Sequence, residues 1–233
     1  LLPLRSKSST MKSPVLSLAI LFCTFHIASA QAIPEKNLQK HITFLASDKL
    51  KGRATGTESE QKAAAYIAKQ FKKIGLEHRG DQGDYYHHFH FKKSSDPHGN
   101  VDEKAPQIDS RNVVGYIDNQ AEYTIVIGGH YDHLGLGYDH NSLDANPEGK
   151  IHNGADDNAS GTAGVIELAR YFAKNGVRES HNFLFLCFSG EELGLLGSKK
   201  YTETPTIDLS KVSFMVNLDM IGRLNEEKRI MVG

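Results

Sequence analysis

Five short runs rich in Val, Ile, Phe and Leu recur along this chain with helical patterns between them, at 112–117, 123–129, 183–188, 214–218 and 230–232. The middle three are apolar at consecutive positions. A strand without polar alternation has no face to give to water, so such runs belong in a sheet covered on both sides. Apolar residues at helical spacing mark 34–48 (Leu38, Ile42, Leu45), 57–74 (Ala64, Ile67, Ala68, Phe71, Ile74), 162–174 and 192–200. Strands alternating with helices predict one α/β domain in which helices flank a central sheet that is mostly parallel or mixed. Thr57 and Glu60 form a capping-box pattern before the second helix, and Gly75 closes it. Residues 85–91 mix aromatic residues with His, and the polar, Pro- and Gly-containing stretch 94–110 reads as a loop.

Composition narrows the function. With 27 basic against 28 acidic side chains the formal charge is -1, which leaves no cationic field to hold nucleic acid or an anionic membrane. Two cysteines cannot build a disulfide framework or a four-cysteine zinc site, whereas twelve histidines make imidazole-based metal binding worth testing.

The segment 11–30 has the form of a secretory signal. Lys12 gives the positive start, 15–27 is apolar, and Ala28-Ser29-Ala30 is a small-x-small cleavage site. A mature chain from Gln31, secreted or periplasmic and without a stable membrane span after cleavage, is expected. Residues 1–10 are expected to be an upstream remnant, and 31–233 the functional domain. Cys187 is then the single cysteine of the mature chain, and 229–233 is a strand-like run that stops without a cap, as in a domain cut short.

Four clusters carry the chemistry: Gly128-Gly129-His130-Tyr131-Asp132-His133, Gly154-Ala155-Asp156-Asp157-Asn158-Ala159-Ser160-Gly161, Phe188-Ser189-Gly190-Glu191-Glu192 and Asn217-Leu218-Asp219. Each lies at the end of an expected strand or the start of a helix. The carboxyl ends of strands in an open α/β sheet form one ligand-binding rim, so His130, Glu191, Glu192 and Asp219 should converge. Several carboxylates in one cleft repel each other unless a cation is present, and imidazole with carboxylates suits Zn²⁺ or its first-row neighbours. In His130-x-Asp132 the carboxylate can accept the other ring N–H and fix the tautomer.

Blander readings compete. A lone strand-end histidine is usually structural, and paired glutamates often do no more than face water at a helix start. The stretch 156–167 also fits the spacing of an EF-hand calcium loop, but the residues before it are rich in Pro and Gly, and those after 161 are already helical in pattern. Asn158-Ala159-Ser160 is formally a glycosylation acceptor. Neither a Gly-x-Ser-x-Gly elbow nor a phosphate loop is present.

Taken in order, Gly129-His130-Tyr131-Asp132, the Gly154 to Gly161 stretch, Ser189-Gly190-Glu191-Glu192-Leu193-Gly194 and Asn217-Leu218-Asp219-Met220-Ile221-Gly222 resemble the M28 family of zinc-dependent aminopeptidases. Lys51-Gly52-Arg53-Ala54-Thr55-Gly56 resembles the same family's N-terminal part. The resemblance implies a zinc aminopeptidase-like α/β fold of the phosphorylase/hydrolase type. It implies two Zn²⁺ ions bridged by Asp156, with His130 and Asp219 on one ion and Glu192 on the other. Glu191 is then the general base, Asp132 the partner of His130, and Asp156-Asp157 a cis peptide. The family's final metal histidine comes from a later segment. His133, His140 and His152 lie too early in that order, so the resemblance predicts an incomplete second site. The implied substrate is a peptide with a free N-terminus. A carboxypeptidase, a dipeptidase, a glutaminyl cyclase-like enzyme or an inactive binding module on the same fold remain alternatives, and oligomeric state is not legible.

Overall fold

The computed structural model describes residues 32–92, 104–139, 141–224 and 226. The signal-like segment, His140 and the run 230–232 lie outside them.

Helix α1 (Glu35–Leu45) starts directly after Pro34, and α2 (Glu58–Ile74) follows a short 3-10 stretch, Asp48–Arg53. Thr57 caps α2 by accepting from the Glu60 amide, and Gly75, left-handed at φ 96°, ends it. The capping box is only half made. Glu60 turns its carboxylate inward, where Oε2 accepts from the Gly56 amide at 2.9 Å and Oε1 accepts from Ser110 Oγ at 2.6 Å, Tyr131 OH at 2.9 Å and Ser189 Oγ. These bonds offset the cost of burying a carboxylate.

The strands are β1 (Glu77–His78), β2 (Tyr86–Lys92), β3 (Gln107–Ile117), β4 (Thr124–His130), β5 (Asn182–Phe188) and β6 (Val212–Asn217). They form one sheet in the order β1-β3-β5-β4-β6, with β2 also paired to β3. Strands β5, β4 and β6 run parallel, and β3 runs antiparallel to β5. The sheet is therefore mixed, parallel only in the half that bears the chemical clusters. The loop expected over 94–110 ends early, because β3 begins at Gln107 and pairs with β2 from Gln107 to Val113.

Helix α3 (Gly161–Lys174) connects β4 to β5 and packs with α1 and α2 on one face. Every residue of β5 is buried. Its alternate side chains Phe183, Phe185 and Cys187 join one core cluster, and Leu184, Leu186 and Phe188 join a second with Val114, Tyr116 and Tyr201. This is the two-faced burial that its uninterrupted apolar run demands. The expectation fails for β6, the edge strand among the described residues, where Phe214 is 54% and Met215 45% exposed. Helix α4 (Leu196–Glu203) starts four residues later than its periodicity suggests, since Glu192 to Leu195 form a turn. Among the described residues no helix is long and apolar enough to cross a membrane.

Candidate metal centre

Three parallel strands end on one rim. His130 is the last residue of β4, Glu191 and Glu192 follow β5, and Asp219 follows β6 by two residues. The fourth segment, Ala155–Ser160, is a wide turn entering α3. Gly129 lets the chain ends close up, for a Cβ there would lie 2.8 Å from the Leu218 carbonyl oxygen. Asn158, fully buried, then ties the wide turn to the β6 exit. Its Nδ2 donates to Leu218 O at 2.9 Å, and its Oδ1 accepts from the Met220 amide at 3.3 Å.

One buried side chain holds two of these loops together. Arg53 is fully buried and donates from Nε to Tyr131 O at 2.8 Å, from Nη1 to Leu45 O and Asn153 O, and from Nη2 to Gly154 O at 2.9 Å. Burial lowers its pKa to about 10, against the raising effect of Asp132, Asp157 and Glu192. It stays charged at neutral pH. The Lys51 to Gly56 motif thereby positions the loops after β4 and before α3.

Asp132, also fully buried, organises four neighbours. His130 Nδ1 faces two acceptors, the Asp132 carbonyl at 3.2 Å and its carboxylate Oδ1 at 3.6 Å, which favour a proton on Nδ1. The Asp132 carboxylate also accepts from Thr55 Oγ1 at 2.8 Å and from the amides of Glu191 and Glu192 at 3.2 and 3.4 Å.

This arrangement aims His130 Nε2 into the acidic cleft. Asp157 Oδ1 lies 3.1 Å from it, Asp219 Oδ1 3.6 Å and Glu191 Oε2 3.8 Å. On the other side, His133 Nδ1 lies 2.6 Å from Glu192 Oε1 and 4.0 Å from Asp157 Oδ1. Two groups of potential ligands result: His130, Asp157 and Asp219, and His133, Asp157 and Glu192, the donor atoms in each lying within 4.8 Å of one another. They share Asp157.

The electrostatics favour a cation here. Burial alone would lower the His130 pKa, but Asp132, Asp157 and Asp219 reverse this and push it up to about 12. Hydrogen bonding to His130 is the main cause that holds the Asp157 carboxylate below its ordinary value, and burial foremost raises that of Glu191, with Asp132, Glu192 and Asp219 adding to it. An imidazole nitrogen facing three carboxylates at 3.1 to 3.8 Å is a donor set that fits a divalent cation with nitrogen and oxygen ligands.

His130, Glu191, Glu192, Asp219 and Asp132 thus meet as expected from the sequence. Asp156 does not join them. Its carboxylate accepts from Arg223 Nε at 2.8 Å, the Gly222 amide at 2.7 Å and Ser160 Oγ at 3.2 Å, and Asp157 takes the central place instead. The cis peptide is correspondingly Asp157-Asn158, one residue beyond the expected bond. His133, which lies too early in the family's order to be its final metal histidine, also reaches this rim. Its position three residues beyond the same strand end as His130 is the signal that places it on the rim. The EF-hand alternative is excluded by the twelfth residue of the pattern: Glu167 is buried in α3 and bonded to Asn37, His41 and Arg170.

Beside the cleft lies a cavity of about 230 Å³, with Phe188, Leu195 and Met215 as its apolar wall and His130, Glu191, Ser198 and Asn217 completing it.

Comparison with known proteins matches this architecture. A probable leucine aminopeptidase of Arthroderma otae is 26% identical over 205 residues, covering 86% of this chain and 48% of the relative. Two solved structures from Bacteroides thetaiotaomicron, a leucine aminopeptidase precursor and a glutaminyl cyclase bound to N-acetylhistamine, each align with a TM-score of 0.62 at 16% identity, over 83% of this chain and 64% of the other. At that identity the likeness is one of fold. The chain spans about half the length of its curated leucine aminopeptidase relative. The sequence profile of peptidase family M28 matches residues 112–233, more than half of the chain and all four chemical clusters. The chain belongs to peptidase family M28.

Proposed function

We propose that this protein is a zinc-dependent aminopeptidase that removes the first residue of peptides with a free N-terminus. The observation that carries this reading is the convergence of His130, Asp157, Asp219 and Glu191 on one rim, within 3.8 Å of His130 Nε2. Zinc held by this set would polarise the scissile carbonyl and make a bound water more acidic.

The chain's own residues do the rest. Asp132 favours the proton on His130 Nδ1, so that Nε2 is the nitrogen that would give up its proton and offer its lone pair to the metal. Glu191, its pKa raised by burial and by neighbouring acids, is a base strong enough to take a proton from water and pass it to the leaving amine. Glu192 and Asp219 remain as carboxylate donors. Asp157 is the shared carboxylate in this assignment, where the family resemblance nominates Asp156. The apolar wall of Phe188, Leu195 and Met215 lies within reach of Glu191 and suits an aliphatic first side chain. The same reading exports the mature chain from Gln31.

Hydrolysis of leucyl, lysyl and glutaminyl chromogenic substrates by the intact protein, with and without a chelator, tests the proposal. Chelator-sensitive release with leucyl preferred is expected. Glu191→Gln should keep its zinc while kcat falls at least about 10²-fold, whereas Glu192→Gln should weaken metal binding. Equal zinc loss in both variants would overturn their separate roles, and cyclisation of the glutaminyl substrate without hydrolysis would favour the cyclase alternative.

A further inference from the structure

Strand β3 carries none of the four chemical clusters, yet one of its side chains reaches the loop that presents Glu191. Asn112 is fully buried, opposite His87 of β2 and one residue before β3 begins to pair with β5. Its Oδ1 accepts from the Ser189 amide at 3.0 Å, and its Nδ2 donates to Gly197 O at 2.9 Å. A backbone N–H can only donate and a backbone carbonyl can only accept, so these two partners decide which way round the carboxamide lies. One side chain thus closes the segment 189–197 at both ends. We propose that Asn112 is a positioning residue for catalysis, a clasp that keeps the Glu191 carboxylate and the apolar wall at Leu195 in one fixed arrangement. This rests on the aminopeptidase reading and extends it to a strand outside the rim.

The segment needs a clasp. Gly190, Gly194 and Leu195 are left-handed, at φ 68°, 90° and 61°. A leucine in that region is strained and stays there only where its surroundings hold it. Within the loop the amides of Gly194 and Leu195 both donate to Glu191 O at 2.9 Å, and the Leu196 amide donates to Gly190 O at 2.8 Å. A shift at the exit of the loop is therefore passed on to Glu191. The two ends also touch, for a Cβ at Gly197 would lie 2.1 Å from Ser189 O and 2.4 Å from Asn112 Oδ1.

The clasp is itself supported. Asn112 Nδ2 lies 3.1 Å from His87 Nδ1, and His87 Nε2 lies 2.9 Å from Thr204 O, just past α4. Thr204 O accepts only, which favours the proton on Nε2 and leaves Nδ1 to accept from Asn112. Ser189 is held a second time, its hydroxyl donating to the Glu60 carboxylate. Asp132 holds the amides of Glu191 and Glu192, and Asn112 holds the two ends around them.

Asn182 supplies a matched control. It too is buried and closes a loop, its Oδ1 accepting from the amides of Asn119 and Ala121 and its Nδ2 donating to Ala121 O, but it stands at the far end of β5. The test is steady-state hydrolysis of a leucyl substrate by the full chain, with rates normalised to folded, zinc-loaded protein, together with hydrogen exchange. Asn112→Ala should lower kcat about 10- to 100-fold, the range that a displacement of about 1 Å can produce, with KM changed less than about threefold. Asn112→Asp has nearly the same shape and keeps an acceptor for the Ser189 amide, but its carboxylate has no hydrogen for Gly197 O. It should be impaired likewise, and it carries the test should Asn112→Ala not fold. Asn182→Ala should keep the wild-type kcat. Exchange at 190–197 should quicken in both Asn112 variants and not in Asn182→Ala. Wild-type kcat in Asn112→Asp, an equal fall in Asn182→Ala, a rise in KM alone, or unchanged exchange at 190–197 would each overturn the proposal. A wild type without chelator-sensitive hydrolysis would instead overturn the aminopeptidase reading itself.

Discussion

Two adjacent aspartates in the turn before α3 do opposite work. Asp157 lies between the histidines, while Asp156 faces the loop after β6, where it accepts from Arg223, the Gly222 amide and Ser160. Those bonds outweigh the raising effect of burial and hold the Asp156 carboxyl below its ordinary pKa, so it is ionised and already partnered. Asp157→Asn should accordingly remove tight zinc binding at both positions, and Asp156→Asn should loosen the loop with a smaller effect on zinc. Metal analysis of both variants after dialysis separates them, and the reverse order would return the bridging role to Asp156. The difficulty in sequence is geometric. Each strand-end residue could be placed by the parallel-sheet rule, which is why His130, Glu191 and Asp219 were legible. Which of two consecutive aspartates points inward depends on the turn's backbone, where Asp157 and Asn158 leave helical geometry.

At the scale of elements, α1 and α3 are clasped by a buried polar cluster. His41 Nε2 meets Glu167 Oε1 at 3.0 Å and its Nδ1 meets Tyr66 OH at 2.7 Å, while Asn37 and Arg170 complete Glu167. Burial is the largest influence on His41 and lowers its pKa from the ordinary 6.5 despite Glu167. A histidine depressed in the folded state binds fewer protons there than in the unfolded chain. Its contribution is therefore complete above about pH 6.5 and is lost as pH falls below that value. Glu167, lowered against its burial by Asn37, Arg170 and His41, contributes above its ordinary 4.5 and is lost below it. His41 and His87, both depressed by burial, act to lower the midpoint of thermal unfolding from pH 7 to pH 5, whereas His130, pushed up, acts to raise it; His41→Gln should therefore make the midpoint fall less, or rise more, over that interval than in the wild type. An unchanged slope in His41→Gln would assign the effect elsewhere. None of this was visible in the pattern, since His41 occupies a helical position that periodicity treats as polar. The strands show the same limit: β4 and β5 were legible because burial on both faces leaves an unbroken apolar run, but no run encodes the direction of its neighbour, so the antiparallel pairing of β3 with β5 was not.

For the molecule as a whole, the acidic cleft joins the parts of the fold that the sheet alone holds least well. The wide turn and the exits of β4, β5 and β6 meet there, and β6 is an edge strand with an exposed apolar surface among the described residues. By contrast α2, β3 and β5 lie in the core clusters and need no ion to hold them. A cation bound only by the folded state stabilises it by mass action, about 4 kcal/mol at a thousandfold excess over Kd. Its removal should therefore loosen the rim before the core. Hydrogen exchange with and without a chelator should show lost protection at 130–133, 155–161 and 217–222, with α2 and β5 unchanged, and a lower unfolding midpoint that Zn²⁺ restores and Mg²⁺ does not. The selectivity follows from the ligands, because Mg²⁺ prefers all-oxygen sites and keeps much of its water, whereas imidazole suits zinc. Equal loss of protection across the rim and β5 would mean that the ion supports the whole fold; no loss at the rim would mean that hydrogen bonds from Asn158, Arg53 and Asp132 already hold it, and that the bound metal serves the chemistry alone.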